Sequence, residues 1–398
     1  MMPPVVVAGT GMTPFVTPAN SPDYVAMAGA AIAEALADAG VGYDSIDQAF
    51  AGYVYGDSTS GQAALYPSGL TGIPIFNVNN NCATGSSALA LARTAIMSGD
   101  AECVLAIGFE QMRRGALAAQ WGDRTDPLAG FLDVIDARFG PSEAPMAIRL
   151  FGGAGLDYQR RYGAQDSTFA MISVKARRHA AENPLAVFRD PLTVEQVLAS
   201  QPLYGPLTRL QCCPPTCGAA AVVLCSERFA KAHGVDQSVI VASQAVTTDR
   251  QSSFDGADLG ATVGAEMSHR AASAVYAAAG VDPADLDVVE LHDCFTANEL
   301  LSYEALALTP PGTAEAFILD GDNSYGGRIV VNPSGGLLAK GHPLGATGLA
   351  QAHELVGQLR GRAGRRQVEG ARLALAHNIG LGGACVVTLY ENRDGAVR

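Results

Sequence analysis

Four short patterns in the first 110 residues return, in the same order, after residue 235. The repeated patterns are largely apolar runs at 5–8 and 239–242, Ala-Gly-Val turns at 39–41 and 279–281, Ala-Thr-Gly triplets at 83–85 and 346–348, and largely apolar runs at 101–106 and 371–376. Four matches in one order indicate an internal duplication of a strand-helix-strand unit. We therefore predict an α/β fold in which each half supplies one sheet and the two helices opened by Ala-Thr-Gly pack together at a pseudo-twofold axis.

The duplication would bring the residues that precede these two helices into one cleft. In the first half that residue is Cys82, which follows a polar turn and precedes a run of good helix formers. The free amides and the dipole at a helix N-terminus favour a thiolate, which is the nucleophilic form of cysteine. The alternative is that Cys82 is a small buried hydrophobic residue, so its neighbours must decide between the two interpretations.

In the second half the cleft residue is His342. It lies in the segment 332–348, where glycines and prolines at six positions predict a non-repetitive loop in front of a helix. An imidazole that is neutral at pH 7 is suited to removing the proton of a nearby thiol. A histidine that merely caps this loop would leave so constrained a backbone unexplained.

Two further segments follow predicted strands. His292 and Cys294 come after the strand at 286–291, and open α/β sheets bind ligands at the carboxyl ends of their strands. Because they are two residues apart, their side chains point to the same side of an extended chain, which favours a shared functional role. A structural role explains them equally well. The glycine-rich segment 377–383 follows the predicted strand at 371–376, and its amides are suited to an oxyanion hole or to a tight turn.

Two other motifs are predicted to bind no cofactor. The motif Gly-Thr-Gly at 9–11 is expected to turn the chain after the first strand, but it lacks the third glycine of a dinucleotide loop, and Pro14 stands where the helix would begin. The segment Cys212-Cys-Pro-Pro-Thr-Cys217 contains no Cys-x-x-Cys pair and has no histidine close by. Buried free thiols therefore explain it better than zinc does.

Charge and cysteine content limit the partners and the compartment. A net charge of -13 and a pI near 4.9 argue against nucleic acid or an anionic membrane as the main partner. Eight cysteines without framework spacing indicate reduced thiols. The sequence has no secretory pattern at its start and no apolar window of about 18 residues, so we predict a cytoplasmic protein without an inserted helix.

The segment from about 115 to 210 differs from the rest of the chain because regular strand patterns fail there. Residues 101–200 carry eleven Lys and Arg against twelve Asp and Glu, although the whole chain is strongly acidic. A less acidic insertion would make a suitable lid for an anionic substrate, and solvated helix faces explain its arginines equally well.

Seven motifs spread over nearly the whole sequence carry a family resemblance. They are Asn-Asn-Asn-Cys82-Ala-Thr-Gly, Leu210-Gln-Cys-Cys-Pro with Gly218-Ala-Ala-Ala, Glu290-Leu-His-Asp-Cys-Phe, Asp322-Asn-Ser-Tyr-Gly-Gly, Asn332-Pro-Ser-Gly-Gly, Gly341-His-Pro-Leu-Gly-Ala-Thr-Gly and His377-Asn-Ile-Gly. With them the chain resembles the thiolase superfamily, and within it the sterol-carrier-protein X type thiolases. The His-Asp-Cys-Phe motif is the most specific, because most thiolases are known for an Asn in place of His292 and for a second catalytic cysteine in a Cys-x-Gly turn. Here that turn reads Asn378-Ile-Gly380, and the resemblance implies that Cys294 supplies the missing thiol.

The resemblance implies a thiolase fold, in which two βαβαβαββ halves form five layers, α-β-α-β-α, with an inserted loop domain. It divides the chain into an N-terminal half at 1–114 that resumes at 211–234, a loop domain at 115–210, and a C-terminal half at 235–398. A homodimer is implied as well. Because the sequence ends soon after its last predicted strand, we expect the sterol-carrier domain that some relatives append to be absent. The loop domain looks unlike that of the commoner thiolases, which leaves the acyl specificity open.

The mechanism implied by the resemblance is thiolytic cleavage of a 3-oxoacyl-CoA. Cys82, deprotonated by His342, would attack the C3 ketone while the backbone amides of Cys82 and Gly380 hold the oxyanion. His342 and His292 would stabilise the enolate of the departing acetyl-CoA or propionyl-CoA, and Cys294 would protonate its carbon. A second coenzyme A, activated by Cys294, would release the acyl chain. Coenzyme A is then a substrate, no cofactor is permanently bound, and the reverse reaction is a Claisen condensation.

Three rival functions share this scaffold. A thiolase-like retro-aldol lyase of steroid side-chain CoA esters could dispense with the nucleophile and the histidines, and a ketoacyl-synthase-like condensing enzyme would need no second thiol. A non-catalytic lipid-binding or partner subunit would need none of these groups. The thiolase is favoured over these three functions because the chain retains all four reactive side chains, Cys82, His292, Cys294 and His342.

Overall fold

The computed structural model describes residues 4–113, 115 and 121–395. The strands in chain order are β1 Val5–Met12, β2 Gln48–Gly52, β3 Ile75–Val78, β4 Cys103–Glu110, β5 Pro202–Tyr204, β6 Leu207–Thr208, β7 Gly218–Ser226, β8 Val239–Thr247, β9 Val288–Glu290, β10 Val330–Val331, β11 Leu373–Gly380 and β12 Ala384–Asn392. The α-helices are α1 Tyr24–Ala39, α2 Ser60–Leu65, α3 Thr84–Ser98, α4 Ala129–Phe139, α5 Met146–Tyr162, α6 Asp166–Ala180, α7 Val194–Leu198, α8 Glu227–His233, α9 Leu259–Thr262, α10 Ala265–Ala279, α11 Thr296–Ala305, α12 Ala314–Leu319, α13 Gly336–Ala339 and α14 Thr347–Leu359. Among the described helices, none combines the length and the apolar character that a membrane span needs.

The main sheet repeats one topology in both halves of the chain. Its strand order is β10-β9-β11-β12-β8-β1-β7-β4-β2-β3. In the first half β2 pairs in parallel with β3 and β4, and β7 lies antiparallel between β4 and β1. In the second half β9 pairs in parallel with β10 and β11, and β12 lies antiparallel between β11 and β8. The halves meet where Val5 and Val6 of β1 pair with Val241 and Ile240 of β8. The predicted duplication is therefore confirmed, with its two sheets joined edge to edge by this short pairing.

Helices separate and cover the two half-sheets. Helices α3 and α14 pack against each other, and each contacts strands of both halves. On the outer faces, α1 covers β1 and β7, and α10 covers β8 and β12. This arrangement gives the five layers of the predicted thiolase fold.

The Ala-Thr-Gly triplets are where α3 and α14 touch. A Cβ placed on Gly85 would lie 2.7 Å from the Gly345 carbonyl oxygen, and one on Gly348 would lie 2.4 Å from the backbone nitrogen of Ser86. Only glycine permits so close an approach of two backbones. The loops that precede the two helices, and that carry Cys82 and His342, are consequently brought together.

The first strand and helix show one confirmed and one incorrect prediction. Helix α1 has the predicted bounds, with Asp23 accepting a hydrogen bond from the Val25 N–H at its start and Gly40 in the left-handed region, φ 69°, at its end. The predicted turn at 9–11 is wrong, because β1 continues to Met12. A Cβ on Gly9 would lie 2.3 Å from the Ala35 carbonyl oxygen, so this glycine allows α1 to pack closely on the strand.

The segment between β4 and β7 is mostly helical where it is described. It contains α4 to α7 and the small β5–β6 hairpin, and α5 and α6 pack on α11. Helix α11 begins two residues after Cys294, so the insertion borders the candidate site. The predicted domain boundaries at 210 and 234 stay a prediction, and the boundary at 114 lies outside the described residues.

Candidate active site

Short-range polar contacts shape the loop that carries Cys82. Asn81 adopts left-handed backbone angles, with φ of 51°, which asparagine tolerates better than most residues. Thr84 Oγ1 donates to the Asn81 carbonyl at 2.6 Å and accepts from the Asn80 N–H at 2.8 Å. The chain therefore turns sharply before α3 and leaves Cys82 half-buried as a free thiol.

Cys82 holds its proton in the free protein. Burial, followed by the charge of Glu110, raises the pKa of Cys82 to about 12, against the opposing effect of the N–H groups of Cys82 and Leu381. The expectation that a helix terminus favours the thiolate is not met here, because α3 begins two residues later and the loss of hydration outweighs the N–H groups that favour the charged form. A base must take the proton before the sulfur can attack.

His342 is oriented to accept that proton. The Thr347 hydroxyl donates to the Pro343 carbonyl at 2.9 Å, so it accepts from the Nδ1–H of His342 at 2.7 Å. Nε2 is then unprotonated, and it is buried with no hydrogen-bond partner among the described residues. Burial, followed by the charge of Lys340, lowers the pKa of His342 to about 3. The ring is therefore neutral at pH 7, with a free lone pair.

His292 has the opposite tautomer. The side-chain amide of Asn378 lies 3.0 Å from Nδ1 and donates to it, so the ring hydrogen is on Nε2. Burial, followed by the charges of His342 and His377, lowers the pKa of His292 well below its usual range. His292 is therefore a neutral N–H donor, a group suited to stabilising a developing oxyanion.

These three side chains converge. The Cys82 sulfur and one ring nitrogen each of His292 and His342 lie within 4.8 Å of one another, and the two rings are nearly perpendicular, at 84°, with centroids 5.1 Å apart. The cleft expected from the duplication is thus present, with the thiol from one half and both imidazoles from the other. In the part of the chain that the structure describes, no other group of His, Cys, Asp and Glu side chains is arranged to surround a metal ion, and metal-free chemistry stays a prediction.

Cys294 lies beside the same cleft and is buried. Its carbonyl accepts from the Cys213 N–H at 2.9 Å. Burial, followed by the charges of Cys213 and Cys82, raises the pKa of Cys294 well above its usual range, so the thiol carries a proton that it can donate. The cysteines of 212–217 are free thiols, as predicted, but only Cys217 of the three is buried, and Cys213 is half-buried beside the site.

The segment that contains Gly380 belongs to strand β11 instead of following it. Strand β11 pairs with β12 as far as Gly380, so His377 and Asn378 are strand residues. A Cβ on Gly380 would lie 2.0 Å from the Asn80 carbonyl oxygen, so the end of the strand rests directly on the Cys82 loop. The Leu381 N–H, which acts on the Cys82 thiol, comes one residue later.

Buried carboxylates fix the loop that carries His342. Glu290 accepts from the N–H of Ser334 at 3.0 Å and from its hydroxyl at 2.7 Å. Asp293, between His292 and Cys294 in sequence, accepts from the Leu337 N–H at 2.7 Å. Fully bonded buried networks of this kind restrict the backbone, so residues at the end of β9 and just after it help to set the position of His342.

Several groups that orient the site were missed in the sequence. Thr347 and Asn378 lie inside motifs that were recognised for other reasons, and each is a polar residue in a largely apolar segment. For Cys213 the sequence predicted no more than a buried free thiol. Glu110 also has a sequence signal, because it is an acidic residue at the end of an apolar strand.

Comparisons with known proteins agree with this geometry. Residues 5–126 match the family described as Thiolase, N-terminal domain, and residues 245–390 match Thiolase C-terminal domain-like. The chain is 52% identical to sterol carrier protein 2 of Oryctolagus cuniculus over 98% of this chain and 72% of that protein. It is 36% identical to an acetyl-CoA acetyltransferase of Methanothermobacter thermautotrophicus over 90% of this chain and 91% of that protein.

A solved structure shares the fold over the full length. The Ltp2-ChsH2(DUF35) aldolase superimposes with a TM-score of 0.83 at 23% identity, covering 98% of this chain and 99% of that chain. At this identity the likeness is evidence for the fold alone. The two family matches cover most of the chain, the relatives align over most of their length, and the duplicated sheet agrees with both. This chain therefore belongs to the thiolase family and is an acyltransferase.

Proposed function

We propose that this enzyme cleaves 3-oxoacyl-CoA esters with coenzyme A through an acyl-Cys82 intermediate, and that the same groups run the reverse Claisen condensation. The observation that carries the proposal is the convergence of the Cys82 sulfur with the rings of His342 and His292. One ring offers a lone pair and the other an N–H. Nucleophile, base and oxyanion donor are the three parts that acyl transfer requires.

The first half-reaction transfers the acyl group to the protein. His342 Nε2 takes the proton of Cys82, and the sulfur attacks the C3 ketone, whose oxygen is held by the backbone N–H groups of Cys82 and Gly380. The C2–C3 bond then breaks, which leaves a thioester on Cys82 and the enolate of acetyl-CoA or propionyl-CoA. The N–H groups of His292 and protonated His342 stabilise the enolate oxygen. Cys294 gives its proton to C2.

The second half-reaction releases the acyl group. The Cys294 thiolate takes the proton of an incoming coenzyme A, whose sulfur attacks the thioester, and Cys82 recovers its proton from His342. A thiol with a raised pKa is a protonated acid in the first step and a strong base in the second, which suits Cys294 to both roles. One 3-oxoacyl-CoA and one coenzyme A thus become two acyl-CoA molecules, and the scheme needs no permanently bound cofactor or metal.

The proposed substrates are linear, 2-methyl-branched or sterol side-chain 3-oxoacyl-CoA esters. The name of the sterol carrier protein 2 relatives supports the sterol member of this set. The insertion is the candidate for binding coenzyme A and selecting the acyl group, because α5 and α6 pack on α11, which begins two residues after Cys294. A cytoplasmic homodimer that serves lipid breakdown completes the proposal.

Removing either sulfur tests the assignment. Cys82→Ala should lower turnover by about 10⁴-fold or more, because nothing remains to carry the acyl group. Cys294→Ala should still acylate Cys82 in part but fail to turn over, because the enolate and the second thiol lack their proton carrier. Cys225→Ala, a buried cysteine in β7, is the matched control and should keep both activities.

The measurement is incubation with acetoacetyl-CoA and with a longer 2-methyl-3-oxoacyl-CoA, with and without free coenzyme A, followed by mass analysis of products and intact protein. Near-normal turnover by Cys294→Ala would contradict its role as the acid. A retro-aldol lyase would cleave a 3-hydroxyacyl-CoA without labelling Cys82 and would survive Cys82→Ala. A non-catalytic subunit would acquire no acyl label at all.

A further inference from the structure

Glu110 is a buried carboxylate that the proposed reaction does not use. It ends β4, is 1% exposed, and accepts three backbone N–H groups, from Val54 at 3.2 Å, Tyr55 at 3.0 Å and Gly345 at 3.0 Å. Burial raises the pKa of Glu110 to about 7, and these three amides, not a cation, oppose the rise. A carboxylate that is desolvated without a positive partner is costly, so its position calls for an explanation.

The Gly345 contact joins the His342 loop to the N-terminal half. A Cβ on Gly345 would lie 2.4 Å from the Phe109 carbonyl oxygen and 2.7 Å from that of Gly52, so the loop rests directly on the ends of β4 and β2. Two polar contacts fix the loop there: the Gly345 N–H donates to Glu110 at 3.0 Å, and the His342 N–H donates to the Thr216 hydroxyl at 2.6 Å. Because Gly345 is three residues after His342, this contact helps to set the distance between the His342 and Cys82 loops.

Gly345, whose N–H donates to Glu110, also rests on Gly85, three residues after Cys82, because a Cβ on Gly85 would lie 2.7 Å from the Gly345 carbonyl oxygen. Through this contact Glu110 brings its charge close to the nucleophile. After burial, it is the next largest cause of the raised pKa of Cys82, and it also raises the pKa of Tyr55 and Cys217. Tyr55 faces Glu110 from the loop after β2, Cys82 from the loop before α3, and Cys217 from the segment before β7. From the second half the contact is the uncharged Gly345 N–H.

A cavity gives Glu110 a route for proton exchange. The cavity has a volume of about 390 Å³, and Glu110 lines it together with Tyr24, Tyr55 and Asp57. No bond to carbon is made or broken at Glu110, and its proton exchanges with water through this opening. The proton of Cys82 passes to His342 as before.

We propose that Glu110 is a positioning residue that holds the His342 loop against the Cys82 loop, and that its negative charge opposes ionisation of the Cys82 thiol. The effect on turnover rests on the proposed function, whereas the effect on the thiol does not. Alkylation of Cys82 by iodoacetamide, followed by peptide mass mapping, therefore tests the inference without any acyl-CoA. The rate is measured in the full chain from about pH 6 to pH 10, a range that spans the titration of Glu110.

Glu110→Gln removes the charge and keeps the size of the side chain. At about pH 8 its Cys82 should be alkylated about tenfold faster, which corresponds to about one unit of thiol pKa, and the inflection near pH 7 should vanish. Glu110→Asp keeps the charge but is too short to reach all three amides, so it should retain the inflection while kcat falls about tenfold. Glu102→Gln is the matched control, because Glu102 is a carboxylate next to the start of β4 that pairs with Arg228 at the surface. This variant should change neither the alkylation profile of Cys82 nor kcat.

Superimposable alkylation profiles for Glu110→Gln and the unaltered protein would overturn the proposed charge effect, and an unchanged kcat in Glu110→Asp would overturn the positioning role. If Glu110→Gln fails to fold by circular dichroism, Glu110→Asp still decides the positioning role, and the inflection near pH 7 in the unaltered protein decides the charge effect. A shifted profile without cleavage of any 3-oxoacyl-CoA by the unaltered protein would refute the proposed function and leave the effect on the thiol standing.

Discussion

At the scale of single residues, hydrogen bonds give two identical imidazoles different functions. Thr347 accepts the Nδ1–H of His342 and leaves Nε2 as a base, whereas Asn378 donates to Nδ1 of His292 and leaves Nε2–H as a donor. Burial lowers the pKa of both rings, so neither is charged before the reaction begins. The tautomer, rather than the charge, therefore separates the two roles.

Replacement of Thr347 tests this account. Thr347→Val should reduce kcat/KM and the alkylation rate of Cys82 about tenfold, which is the effect of one net hydrogen bond, because His342 is no longer held in its basic tautomer. Thr347→Ser should restore both. Thr94→Val, at an exposed position of α3, is the matched control, and an equal loss in both valine variants would contradict the role of Thr347.

At the scale of elements, glycines set how closely strands and helices approach. Gly9 lies under α1, and Gly85 and Gly348 lie where α3 meets α14. At each position a single methyl group would overlap with backbone atoms that belong to another element. Close packing of this kind places the Cys82 loop within reach of the His342 loop.

A pair of alanine substitutions separates packing from helix propensity. Gly9→Ala should destabilise the protein by about 1–3 kcal/mol, because its Cβ would lie 2.3 Å from the Ala35 carbonyl oxygen. Gly29→Ala, inside α1 with nothing within 4 Å of its Cβ, should stabilise it by up to about 1 kcal/mol. Urea denaturation measures both, and similar midpoints would show that the strand and helix can move apart at little cost.

At the scale of the whole molecule, buried histidines make stability depend on pH. Burial lowers the pKa of His179, His342 and His377 to about 3, and it lowers that of His292 well below its usual range. Between about pH 6.5 and pH 3 the unfolded chain binds protons that the folded chain does not, so this contribution is complete above pH 6.5 and is lost as pH falls. Burial raises the pKa of Glu110 to about 7 and that of Asp293 to about 8, which has the opposite effect, but four histidines outnumber these two carboxyl groups.

The free energy of unfolding should therefore fall as the solution is acidified from about pH 7 to pH 5. His179→Gln should reduce this slope, because His179 lies outside the cleft and its ring is neutral: Nδ1–H donates to the Asn332 carbonyl, and Nε2 accepts from the Ser324 hydroxyl. Urea midpoints across the pH range measure the slope. His233→Gln, on the exposed end of α8, should leave it unchanged, and equal slopes in all three proteins would contradict the assignment.

The sequence by itself determined the duplication, the bounds of α1 and which side chains meet in the cleft, because these depend on local patterns and on motifs repeated along the chain. It did not determine the protonation of Cys82, the tautomers of the two histidines or the contact between Glu110 and Gly345. Those depend on burial and on hydrogen bonds between residues as far as 235 positions apart. Only the folded chain brings such groups together, and desolvation there is strong enough to reverse what a helix terminus alone would favour.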